Sequence, residues 1–135
     1  MKSPREHALR LLGKAEHNLV AARATLSTGQ ALDMVCFHAQ QVAEKSLKAL
    51  LALYDVEYPW RHDLAELLEL VRPLAPGVDT LEGRVIQLMP FAVAVCYDEE
   101  FEPSLSEAME ALQTATAVYS LIAQAIQPGE SDDTT

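Results

Sequence analysis

Four polar residues on one stretch of the chain have the types and spacing to do chemistry: His38, Gln41, Lys45 and Lys48, separated by three, four and three positions. On an α-helix this spacing draws them into one stripe, beside apolar Val35, Val42 and Leu50. Such a stripe has two readings. In the first, His38 and Gln41 bond to loop backbone or across an interface between two copies, while the lysines lay their stems on apolar surface and keep their ammonium groups in water. In the second, the loop after this helix brings Arg61 and His62 to Lys45 and Lys48, giving an acidic chain one positive groove. A phosphate is the natural ligand of such a groove: arginine offers a bidentate fork, lysine a point charge, and the helix starting at Asp63 turns free backbone donors outward. Asp63 itself competes for those donors as a cap.

Three other groups of residues invite a chemical reading and support a plainer one. Arg10 and His17 share a helix face, yet Lys14 and Glu16 beside them fit an ordinary solvated surface. Cys36 and Cys96 lie 60 residues apart, with no CxxC pair or zinc spacing. They read as two small buried thiols, with a disulfide disfavoured in a reducing compartment; as a nucleophile Cys96 is weak, set beside the acidic run Asp98-Glu99-Glu100 with no basic neighbour to activate it. The run Asp98-Glu99-Glu100-Phe101-Glu102 clusters carboxylates but lacks the alternating ligands and turn glycine of a calcium loop. It reads as an acidic loop anchored by Phe101, or as a surface for a basic partner.

The charge balance narrows the function classes. The formal charge is −10, and all ten Lys and Arg fall at or before Arg84, while nine of the twenty acids follow it. Nucleic-acid binding rests on neutralising phosphates, so this balance argues against a broad nucleic-acid surface, though not against one local basic pocket, and RNA is a disfavoured partner. No apolar run reaches the roughly 18 to 20 residues of a membrane span, and the N-terminus leads into no signal-peptide core. The expectation is a cytoplasmic protein that meets no membrane.

The elements that must position these residues are helices. Ser3-Pro4-Arg5-Glu6 has the grammar of a capping box with proline at the first helical position. Ala8, Leu11, Leu12, Ala15, Leu19, Ala22 and Leu26 then keep helical spacing until Ser27-Thr28-Gly29 stops a helix of about 22 residues. The second helix, from Gln30 or Ala31 to about Val56, holds no Gly or Pro and is predicted to be the longest. Tyr58-Pro59-Trp60-Arg61-His62 breaks it into an ordered loop. Asp63-Leu64-Ala65-Glu66, Asp79-Thr80-Leu81-Glu82 and Ser104-Leu105-Ser106-Glu107 repeat the start signal for three more helices, the third helix ending before Pro73 and the fourth bent by Pro90 and ending near Tyr97. The pattern predicts an all-α, up-and-down five-helix bundle forming one domain over residues 1–127, with a disordered acidic tail over 128–135.

The stretch Phe37-His38-Ala39-Gln40-Gln41-Val42-Ala43-Glu44-Lys45-Ser46-Leu47-Lys48-Ala49-Leu50-Leu51, followed by His62-Asp63-Leu64, resembles the HEPN domain family, and the resemblance runs over about residues 5 to 127. It implies a five-helix bundle, usually a homodimer, often encoded beside a small nucleotidyltransferase in toxin–antitoxin-like pairs. Some members are ribonucleases and others are suspected nucleotide binders; no cofactor is implied. The ribonucleases carry an Arg followed after four to six residues by His near the end of the fourth helix, where a proton carrier and a fixed cation serve chemistry on the RNA 2′-hydroxyl. Close relatives read Ala-Arg-Tyr-Pro there, whereas this chain reads Val95-Cys96-Tyr97-Asp98, and no histidine follows His62. Tyr97 joins His38, Gln41, Lys45, Lys48, Arg61 and His62 in the candidate ligand-binding set, and no catalytic residue or metal ligand is assigned. Three functions stay open: a homodimeric interaction module that works with a nucleotidyltransferase and takes a nucleotide, a divergent ribonuclease toxin, and a structural dimer whose polar stripe sets interface register.

Overall fold

Ser3 caps the first helix as its context predicts: its hydroxyl accepts from the Glu6 backbone N–H at 3.1 Å, and Pro4 opens helix α1, Pro4–Thr28. In this computed structural model, residues 3–58 and 63–127 are described. Helix α1 buries Ala8, Leu12, Ala15, Leu19 and Ala22, a strict alternation of four and three that makes a narrow seam. Gly29, at φ 70°, closes it in the left-handed conformation that glycine adopts freely, its N–H returning to the Leu26 carbonyl at 3.0 Å.

Helix α2 is Leu32–Leu53, shorter at both ends than predicted, and at 22 residues it is outrun by the 25 of α1. Left-handed backbone at Ala31 (φ 53°) and Asp55 (φ 55°) frames it, and neither of these two residues is the Gly or Pro by which breaks are read in a sequence. Helix α3, Leu64–Val71, begins on the Asp63 cap and buries Leu64, Leu67, Leu68 and Val71.

The predicted fourth helix is broken. A 3₁₀ turn over Pro76–Leu81 leads into the short α4, Glu82–Ile86, and after a turn comes α5, Phe91–Tyr97, with Pro90 immediately before it. Asp79 does not cap this segment as expected. Its carboxylate accepts instead from Arg72 Nε, while Arg72 Nη2 donates to Glu82 at 2.9 Å, so one guanidinium ties the end of α3 to the 3₁₀ turn and α4. Helix α6, Leu105–Ile126, starts on a full capping box between Ser104 and Glu107.

These segments form the expected all-α five-helix bundle, its fourth helix divided into α4 and α5, with no strand among the described residues. Helix α2 is the centre, touching α1, α3, α5 and α6. Early α1 lies against late α2, and along α6 Arg5 of α1 donates to the Ile126 carbonyl at 3.4 Å while Glu16 accepts from Tyr119 Oη at 3.1 Å, so α2 and α6 both run antiparallel to α1. Alanines line the seams on all three long helices, and their small side chains let the axes approach. The expected tail, residues 128–135, lies outside the described residues.

Candidate functional site

The polar stripe of α2 resolves into two hydrogen-bonded chains, and residues from outside the stripe complete both. In the first, Lys45 Nζ donates to Asn18 Oδ1 of α1 at 2.8 Å, and Asn18 Nδ2 meets His38 Nδ1 at 2.9 Å. Burial, and then the Lys45 charge, hold His38 below its ordinary pKa. Burial likewise lowers that of Lys45; Glu44 opposes the shift, and Lys14 and Lys48 add to it. In the second, Gln41 Nε2 donates to Gln40 Oε1 at 2.6 Å, Gln40 Nε2 to Glu44 Oε1 at 3.0 Å, and Lys48 Nζ to Glu44 Oε2 at 2.9 Å. Gln40 and Glu44 are buried, so this chain satisfies groups that would otherwise be costly inside the bundle. The Lys48 ammonium also stands 5.4 Å from the centre of the Tyr58 ring, within cation–π reach.

Lys45 and Lys48 come together on the wall of an open groove of about 1090 Å³, formed by the start of α1, the end of α2 and the turn that follows. Ser3, His7 and Tyr58 line it with them, but so do Glu44, Asp55 and Glu57. Among the described residues the groove is mixed in sign, because the turn after α2 supplies acids of its own. His38 and Gln41 lie on α2 away from the groove lining, and Tyr97, 82 % exposed, stands on α5. Arg61 and His62 lie outside the described residues. The Asp63 carboxylate accepts from the Glu66 N–H at 3.2 Å, so the cap occupies a donor that the phosphate reading of this helix start required.

Asn18, Gln40 and Glu44 escaped the sequence reading. Gln40, Glu44 and Lys48 sit at i, i+4 and i+8, a spacing that announces such pairs and was there to be read. Asn18 offered no signal, since its role depends on how α1 lies against α2.

The remaining candidates settle into ordinary places. Arg10 and His17 are both exposed on α1. Phe101 is half-buried, its ring centre 5.5 Å from that of Phe91, as an anchor for the acidic loop. Both cysteines are free. Cys36 is buried, and burial, with Glu107 and Asp33, pushes its thiol up to about 11. Cys96 corrects the expectation of a second buried thiol: it is exposed, because α5 buries none of its residues. Val93 and Tyr97, on the same face of α5 as Cys96, are 60 % and 82 % exposed.

No helix is long and apolar enough to cross a membrane, among the described residues. Comparison with curated proteins and with solved structures gives no match. A family model, the HEPN domain, matches residues 8–126. That match takes in nearly all of the bundle and both chains of the polar stripe, and the protein belongs to the HEPN domain family.

Proposed function

We propose that the protein is a pairing module: a homodimer joined through the apolar face of α5, working beside a nucleotidyltransferase partner in a toxin–antitoxin-like pair. The carrying observation is α5 itself, which is written Phe-Ala-Val-Ala-Val-Cys-Tyr and buries no residue in the single chain. An apolar helix face left to water costs free energy that a second surface recovers. The nucleotidyltransferase is suggested by the resemblance to paired members of the family, and the two free thiols suit a reducing cytoplasm. Light scattering on the full chain tests the pairing. It should give about twice the 14.8 kDa of one chain, and Val93→Glu should give the single-chain mass with unchanged helicity. A wild-type protein of single-chain mass would defeat the reading.

A second reading is favoured at the groove, where Lys45 donates to a neutral amide and Lys48 stands over the Tyr58 ring. Together they can take the phosphate and base of a nucleotide. Thermal unfolding with and without ATP or GTP tests this, because a ligand of the folded state must raise the midpoint. The rise should vanish in a Lys45→Ala, Lys48→Ala double variant. Ribonuclease activity is disfavoured: Cys96 stands where the ribonucleases carry arginine, and the acidic loop 98–102 follows it.

A further inference from the structure

The chain from His38 through Asn18 to Lys45 has a direction, and that direction follows from what each group is able to donate. An ammonium only donates, so the carboxamide oxygen of Asn18 is the atom that faces Lys45, at 2.8 Å. The amide nitrogen then faces His38 Nδ1, at 2.9 Å, and it too only donates. Nδ1 must therefore be the acceptor, and the neutral imidazole carries its proton on Nε2. Lys45 thus sets the tautomer of a histidine two helical turns away through a residue of the neighbouring helix.

A proton on Nδ1 breaks this order. Two N–H groups would then face each other, and turning the Asn18 amide over relieves the contact. The turned amide gives its oxygen to the imidazolium and presents its nitrogen to Lys45, which loses its acceptor. We propose that Asn18 is a proton-linked relay: its oxygen serves either Lys45 or protonated His38, so proton uptake at His38 releases the Lys45 ammonium towards the groove that it lines.

The surroundings decide when the relay turns. The charge acting on His38 is Lys45 on its own helix. Lys45 feels Lys14 from α1 and Glu44 and Lys48 from α2, and among the described residues no charged group of α5 or α6 acts on either. Burial and the lysine both favour the neutral ring, so the relay turns below neutral pH. Linkage makes the effect reciprocal: an anion that draws Lys45 away frees the Asn18 oxygen and makes His38 easier to protonate. This last limb rests on the groove reading given above; the relay itself does not.

Nitrogen-15 NMR of the histidine rings tests it on the full chain in wild type, Lys45→Met, Asn18→Ala and the double variant, with exposed His17 as internal reference. The neutral His38 ring should be the Nε2–H tautomer in wild type. Lys45→Met should raise its pKa, and by clearly less when Asn18 is already alanine. An Nδ1–H tautomer overturns the proposal, as does an equal effect of Lys45→Met in both backgrounds, which would be plain repulsion through space. Inorganic pyrophosphate added to wild type should raise the His38 pKa further. A relay that passes the variant test while pyrophosphate leaves His38 unmoved would stand, and the groove reading would fall.

Discussion

Helices α2 and α5 are both rich in small and aliphatic residues, yet α2 buries 13 of its 22 residues and α5 none of its seven. The difference lies in neighbours. Helix α2 is enclosed by α1, α3, α5 and α6, so that even Gln40, Glu44 and Ser46 are shut away from water. Helix α5 packs on α2 and leaves Val93, Cys96 and Tyr97 facing out. Apolar composition alone does not separate a core from a surface held for a partner. The polar groups are more telling: Gln40 and Glu44 are joined in a chain inside the bundle, whereas the outward face of α5 offers only Cys96 and Tyr97 beside Val93.

This contrast can be broken by substitution, starting where the effect should be largest. Leu50→Ala in α2 should lower the unfolding free energy by about 2–5 kcal/mol in urea, whereas Val93→Ala at high dilution should move it by no more than about 0.5 kcal/mol. Equal losses would make α5 part of the core. Glu44→Ala should cost about 1–3 kcal/mol, since Gln40 and Lys48 both give up an acceptor inside the bundle. Lys48→Ala should cost less by the same measurement, since its ammonium lies nearer to solvent.

The two cysteines sharpen the comparison through pH. The folded chain keeps the Cys36 thiol protonated to about 11, while the unfolded chain releases the proton near 9. The raised pKa therefore adds stability that is whole below 9 and is lost as pH climbs through 11. Unfolding curves across that window should show wild type losing ground to Cys36→Ala at about 1.4 kcal/mol per pH unit. Smallest of all is Ser46→Ala: the hydroxyl is buried with no hydrogen-bond partner among the described residues, so its removal should be neutral or stabilising, within about 1 kcal/mol.

Much of the bundle could be read from local signals. The caps at Ser3, Asp63 and Ser104 are interactions within four residues of chain, and all three side chains cap their helices, with the full reciprocal box at Ser104. Asp79 had the same grammar and failed, because Arg72 reached its carboxylate first across the turn, a contact no local pattern reports. The ends of α2 were misplaced for a similar reason: Ala31 and Asp55 turn left-handed, and neither is a breaker residue. At the site, the stripe of α2 was legible because helical spacing is local, and its membership was not. Asn18 enters from α1, and the acids Asp55 and Glu57 enter from the turn, each by tertiary packing. The exposure of Cys96 was hidden likewise, since the fourth helix read as one element bent at Pro90, whereas it is divided into α4 and α5.

The most direct test of the pairing reading uses that exposed thiol. Cys96 shares the α5 face with Val93 and Tyr97, and Cys36 is buried, so thiol labelling of the native protein reports on Cys96. The rate of labelling, followed as protein concentration is raised, should fall as the α5 faces of two copies cover each other, and should stay high at every concentration in Val93→Glu. A wild-type rate that does not change with concentration, in a protein of single-chain mass, would contradict the account.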